Sequence, residues 1–133
     1  MRFTGEAGKL PAEEQAVILR TAAEIGVPAT FLAAIRIAEN GRAGREFGVL
    51  SEDADTYDAQ CRIAALSVRN NAYRYVVRFK EWPVDPQGRL SEAFTKFMAA
   101  RWCPPGAEND PTNLNAHWPG NVWRVHSGSG VSA

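Results

Sequence analysis

Apolar residues recur at helical spacing in four stretches of the chain, separated by proline, glycine and asparagine. Leu10-Pro11-Ala12-Glu13-Glu14 predicts a helix start, because proline suits a first turn and carboxylates favour the positive end of the helix dipole. Ala16, Val17, Leu19, Ala23 and Ile25 follow with roughly helical spacing, and Gly26 predicts a left-handed stop. Pro28 opens a second helix running to about Glu39, in which Leu32, Ile35 and Glu39 stand at i, i+3 and i+7 and share a face. Asn40-Gly41 supplies the chemistry to end it.

A third helix is predicted from Tyr57 to Lys80. Its apolar stripe is Tyr57, Cys61, Ala64, Ala65, Val68, Ala72, Tyr75, Val76 and Phe79. A helix of about 24 residues spans roughly 36 Å, so it is expected to be the central scaffold. Ser91 predicts the cap of a fourth helix, Glu92 to about Trp102, with Phe94, Phe97, Met98 and Ala99 facing inward.

The connecting segments differ in character. Gly41-Arg42-Ala43-Gly44-Arg45-Glu46-Phe47-Gly48 holds three glycines in eight residues and predicts a loop with unusual backbone angles. Val49-Leu50-Ser51 predicts a short extended piece, and Trp82 to Gly88 a turn-rich connector. Residues 107–120 read as an ordered loop anchored by Leu114 and Trp118, and residues 121–125 as one last helical turn. Clear strand alternation is absent. The expected fold is therefore mostly α, a single domain over residues 1–126 with a flexible C-terminal tail at 127–133.

The length of 133 residues agrees with one domain. Fifteen basic residues balance fifteen acidic ones, which argues against a protein that coats nucleic acid. No run of about 18 apolar residues exists, so no membrane span is expected. Met1-Arg2-Phe3-Thr4-Gly5-Glu6 has no apolar core of a signal peptide, so action outside the cytoplasm is expected to need another delivery route. Cys61 and Cys103 stand far from any CxxC pattern and from His117 and His126, which disfavours a zinc site; both read as small buried hydrophobes. No metal or cofactor is implied, since the chain lacks a P-loop, GxSxG and HExxH.

Glu39 is the residue with the most chemical promise. It lies on the apolar face of its helix and at the C-terminal end, where the dipole disfavours an anion. Both effects raise a carboxyl pKa, as a general acid working near neutral pH requires. The competing reading is an ordinary ion pair, with Arg36, Arg42 or Arg45 holding Glu39 ionised. Asn70-Asn71 inside the third helix hints at a polar role, because asparagine is a weak helix former. Tyr73, directly after this polar cluster, is the best aromatic candidate for lining a cleft. Tyr57, Tyr75, Trp82, Trp102, Trp118 and Trp123 are further flat faces that could serve a sugar or the core. Asn109 to Asn115 could close one end of a cleft or form plain turns.

The stretch Gly26-Val27-Pro28-Ala29-Thr30-Phe31-Leu32-Ala33-Ala34-Ile35-Arg36-Ile37-Ala38-Glu39-Asn40-Gly41 resembles the opening of the soluble lytic transglycosylase and goose-type lysozyme group. The resemblance covers residues 12–51 best. It implies a lysozyme-like fold of the small phage or prophage type and places the family's catalytic acid on Glu39. Gly48-Val49-Leu50-Ser51 is the nearest match to the family's Gly-Leu-Met-Gln-like segment, with Ser51 where glutamine is common. It implies Gly48, Val49 and Ser51 as substrate-binding positions, beside Asn70 and Tyr73 from the residue reading. The implied activity is cleavage of the N-acetylmuramic acid to N-acetylglucosamine linkage of peptidoglycan, by muramidase or lytic transglycosylase chemistry with a single Glu as acid and then base. The implied partners are peptidoglycan glycan strands and phage tail or virion proteins, with no nucleic acid and no membrane. The alternative is a non-catalytic virion or tail component that kept the fold. The shorter loop before Gly48 and the missing Tyr-Asn-Ala-Gly motif favour that alternative.

Overall fold

The computed structural model describes residues 1–104 and 114–133. The chain is mostly helical. Its helices are α1 (Ala12–Ile25), α2 (Ala29–Glu39), α3 (Tyr57–Phe79), α4 (Glu92–Trp102) and α5 (Trp118–Ser127). Two short strands, β1 (Arg2–Thr4) and β2 (Gly130–Ser132), pair antiparallel with Phe3 opposite Val131.

The helix ends follow from local chemistry. Pro11 and Pro28 immediately precede α1 and α2, in extended conformations that feed a first turn. Thr56 Oγ1 accepts from the Ala59 amide at 3.1 Å and Ser91 Oγ from the Phe94 amide at 3.0 Å, which caps α3 and α4. Gly26 and Asn40 end α1 and α2 in the left-handed conformation, and their amides bond the carbonyls of Ala22 and Arg36.

The most enclosed element is α2. Phe31, Leu32, Ala33, Ala34 and Ile35 are all fully buried, so every face of its middle turn is covered. It packs most extensively on α5 and also on α1 and α3. This revises the expectation that the longest helix is the central scaffold. The N-terminal half of α3 does bury Cys61, Ala64, Ala65 and Val68, but farther along Tyr73, Val77 and Phe79 are exposed. Tyr73 and Val77 lie off the predicted stripe, which stays buried or half-buried as far as Val76 and overshoots the core only at its last member, Phe79; the polar Asn71 is buried beside it.

Residues 127–133 are likewise not a frayed tail. Ser127 completes α5, and β2 returns to pair with the N-terminus, where Phe3 is buried. Three-residue strands are too short to write a readable alternation. Residues 121–125 belong to a ten-residue helix rather than a single turn. His126 on this helix is buried and bridges Thr30 Oγ1 through Nδ1 at 2.8 Å and the Leu90 carbonyl through Nε2 at 3.2 Å. A carbonyl only accepts, so Nε2 carries a proton; burial holds the His126 pKa below its ordinary value of 6.5, and in the neutral form so favoured Nδ1 accepts from the threonine hydroxyl. A neutral imidazole thus ties α5 to α2 and to the turn before α4.

Candidate active site around Glu39

Glu39 is the last residue of α2, and the left-handed Asn40 turns the chain sharply away behind it. The segment that follows is held by one side chain. Gln60, fully buried on the first turns of α3, accepts from the amides of Phe47 and Val49 at 3.2 Å each through Oε1. Its Nε2 donates to the carbonyls of Val49 at 2.8 Å and Ala54 at 2.5 Å. Four hydrogen bonds from one amide fix residues 47–54 on the core, and Phe47 and Val49 drop into it.

This anchoring brings Gly48 against the Glu39 carboxyl. Gly48 has φ +75°, and a Cβ at this position would stand 2.3 Å from Glu39 Oε2 and 2.6 Å from Cδ. The position needs glycine on both counts.

Two tryptophans approach from other elements. Trp102 at the end of α4 donates Nε1–H to Glu39 Oε1 at 3.1 Å, and Trp118 at the start of α5 donates Nε1–H to the same oxygen at 2.9 Å. An indole N–H can only donate. Oε1 is therefore the acceptor oxygen in either protonation state, and the acid proton belongs on Oε2, the oxygen beside Gly48. Among the described residues Oε2 has no hydrogen-bond partner.

The electrostatics favour a retained proton. Burial pushes the Glu39 pKa above its ordinary value of 4.5, while the two indole hydrogen bonds pull the other way without cancelling it. Glu39 forms no ion pair among the described residues. Arg36 instead pairs with Glu14 at 2.8 Å, and Arg45 donates to the carbonyls of Gly44 at 2.5 Å and Ala54 at 3.2 Å. The ion-pair reading of Glu39 is thereby removed for Arg36 and Arg45.

Trp102 also lines a groove of about 330 Å³ between α3 and α4, together with Ser67, Asn70, Asn71, Arg74 and Arg101. One indole thus touches the carboxyl and walls a polar groove. Asn70 is in this groove. Tyr73 is 63% exposed and lines an adjoining groove that shares Arg74.

Of the residues expected at the site, Glu39 and Gly48 are in contact. Asn70 is linked to them through Trp102. Tyr73 lies one groove farther away. The Val49 side chain is buried, so only its backbone faces the loop. Ser51 is exposed on that loop, and its carbonyl accepts from the Ala54 amide at 3.1 Å. The stretch Asn109–Asn113 lies outside the described residues, and Asn115 Nδ2 donates to the Pro104 carbonyl at 3.2 Å.

The pairing of both indoles on one carboxyl oxygen was not foreseen from the sequence. Trp102 and Trp118 read there only as flat faces or anchors, and nothing in their spacing points to residue 39. Gln60 had a signal, a lone amide within an apolar helical stripe, which marks a buried hydrogen-bonding duty.

Among the described residues no group of three or more His, Cys, Asp or Glu could hold a metal ion, and no helix is long and apolar enough to cross a membrane. Comparisons with protein-family models, with curated proteins and with solved structures found no match for this chain.

Proposed function

We propose that this chain is a small lysozyme-like domain that cleaves the N-acetylmuramic acid to N-acetylglucosamine bond of peptidoglycan, with Glu39 as its single general acid and base. The observation that carries the reading is the asymmetric environment of the Glu39 carboxyl. One oxygen is clamped by two indole donors, and the other has no hydrogen-bond partner among the described residues and lies beside a glycine.

In the first step Oε2–H protonates the glycosidic oxygen as the bond from the sugar C1 to that oxygen breaks. The bonding electrons leave with the oxygen, and positive charge develops at C1. The carboxylate left behind gains from the two indole N–H groups on Oε1, since hydrogen bonds to a charged acceptor are the stronger kind. In the second step the same carboxylate takes a proton from the incoming hydroxyl as its oxygen attacks C1. That hydroxyl is either water or the muramoyl 6-hydroxyl. Burial and the indoles thus act on opposite halves of the cycle, one favouring the acid form and the other the base form.

A second carboxylate is not needed for this scheme, which suits the surroundings. The Glu46 Oε1 is occupied by the Gly44 amide at 3.0 Å, and Glu52, Asp53 and Asp55 are exposed. Single-carboxylate glycosidases are a known departure from the two-carboxylate pattern.

The test is loss of turbidity of purified cell walls with the wild type and with Glu39→Gln. Clearing by the wild type, reduced about 10²–10⁴-fold in the variant, is the expected result. If both proteins clear the walls equally, Glu39 is not the acid. If neither does, the chain is a non-catalytic component. Mass spectrometry of the products separates the two nucleophiles, because only attack by the 6-hydroxyl leaves an anhydro end.

A further inference from the structure

The groove beside Trp102 has a charge character that cleavage by Glu39 does not use. Among the described residues its polar lining is Ser67, Asn70, Asn71, Arg74 and Arg101, which is two guanidiniums and no carboxylate. The adjoining groove lined by Tyr73, Arg74, Val77, Arg78 and Phe97 adds a third guanidinium and, among the described residues, again no acid. In a chain of zero net charge this is a local excess. Elsewhere Arg20, Arg36, Arg62, Arg89 and Arg124 each have a carboxylate partner. Arg74 and Arg101 have none among the described residues, a condition they share with Arg2, Arg42, Arg45, Arg69 and Arg78, but they are the two that meet in the groove beside Trp102.

Arg74 is also held in place. Asn71 donates Nδ2–H to the Ser67 carbonyl at 2.8 Å, and its Oδ1 accepts from Arg74 Nη1. The Arg74 guanidinium lies 4.7 Å from the Phe97 ring centroid. One N–H is used and one face is covered, which leaves the remaining donors of a pre-positioned fork for a ligand. Asn71 is buried, so this brace is part of the core rather than a mobile surface contact.

We propose that the α3–α4 groove is a subsite for a carboxylate carried on the glycan strand, with Arg74 and Arg101 as its ligands and Asn70 at its edge. Planar guanidiniums match carboxylates in a forked arrangement. Trp102 lines the groove and its indole N–H holds Glu39, which puts the groove one side chain away from the proposed acid. In peptidoglycan that carboxylate has two sources, the lactyl group of an unsubstituted muramoyl residue and the peptide stem attached to it. A strand built only of N-acetylglucosamine offers neither. The proposal rests on the Glu39 reading for the kind of strand, and its test does not require cleavage.

Binding is measured by calorimetry on the Glu39→Gln protein with three oligosaccharides of equal length. These are a chito-oligosaccharide, a peptide-free muramoyl-containing oligomer and a peptide-bearing one. At least one carboxylate-bearing oligomer is expected to bind at least about tenfold more tightly than the chito-oligosaccharide, and which one does so identifies the source. Arg101→Gln, an exposed change, should bring the affinities to near parity and remove most of the salt dependence. Arg74→Lys keeps the charge but not the fork, and should lose most of the preference while remaining folded by circular dichroism. Equal affinity for all three oligomers, no binding of any, or an undiminished preference in Arg101→Gln overturns the proposal. A wild type that cuts no wall, together with an intact preference, would refute the catalytic reading alone.

Discussion

Gly48→Ala separates the chemistry proposed for Glu39 from the stability of the fold. The added methyl would stand 2.3 Å from Oε2, so that oxygen must retreat by about 1 Å to reach ordinary van der Waals separation. The carboxyl is the far end of a flexible side chain, so it moves before the backbone does. Its movement strains the indole hydrogen bonds at 3.1 and 2.9 Å. Two costs follow. The left-handed backbone at φ +75° costs about 1–2 kcal/mol for a residue with a Cβ. Weakening the indole contacts adds about 1–2 kcal/mol, because a half-buried donor loses its partner. The expected catalytic loss is about 100-fold, since a displacement near 1 Å takes the proposed acid away from the reacting oxygen. Gly88→Ala is the matched control. It has φ +79° and nothing within 4 Å of the added methyl, so it carries the backbone cost alone. Thermal unfolding and wall-clearing rates of both variants are compared with the wild type. Gly88→Ala should lose about 1–2 kcal/mol and stay within about twofold in rate. Gly48→Ala should lose more stability and nearly all of the activity. Wild-type clearing by Gly48→Ala, or an equal loss in Gly88→Ala, refutes the placement of the reacting proton on Oε2.

Two further outcomes follow from the same geometry. Glu39→Gln should be more stable than the wild type at pH 7, because burial raises the folded carboxyl pKa and the folded state then disfavours the anion. The sign is fixed by proton binding. Between pH 4.5 and the higher folded pKa the unfolded carboxyl gives up its proton before the folded one does, so wild-type stability falls as pH rises through that window. Denaturant titrations of both proteins from pH 4 to 8 should show the gap opening upward, and a constant gap would mean the carboxyl is not perturbed. Gln60→Ala removes four hydrogen bonds from a fully buried amide and strands the Phe47 and Val49 amides. Urea unfolding should show a loss of about 3–5 kcal/mol, with raised protease sensitivity between residues 47 and 54; a loss under 1 kcal/mol would show that the loop holds itself.

The helices were legible because their signals are local. Proline before α1 and α2, Gly26 after α1, and Ser91 before α4 each act on neighbouring backbone groups, and the structure uses them where the sequence puts them. The strands were not legible, because Phe3 and Val131 depend on each other across the whole chain and three residues carry no periodicity. The C-terminal half of α3 misled for a different reason. Tyr75 and Phe79 share a face by spacing, yet Tyr75 is buried and Phe79 is exposed, because spacing does not show where the covering element stops. The site divides along the same line. Glu39 at a helix end on an apolar face could be read from one helix, and Gly48 from a loop rich in glycine. The two indoles come from α4 and α5, and only tertiary packing brings residues 102 and 118 to residue 39.

That division bears on what the two tryptophans do. A carboxyl buried with no donors would keep its proton too firmly to release it, and the charged form would be costly. A carboxyl paired with arginine would lose its proton well below neutral pH. Indole donors are the intermediate case, since each stabilises the anion by a hydrogen bond without contributing a net charge. Placing both on Oε1 also sets the two oxygens apart, and in the proposed reaction it makes Oε2 the acid, a choice that a symmetric carboxylate in water does not make. Replacing Trp102 by phenylalanine tests this directly, because it keeps the aromatic wall and deletes one donor. The Glu39 pKa should rise further, and the base-limited arm of the pH–rate profile should shift upward with it. A profile that stays in place would mean that the indoles only fill space, and the asymmetry of the carboxyl would then have no part in the chemistry.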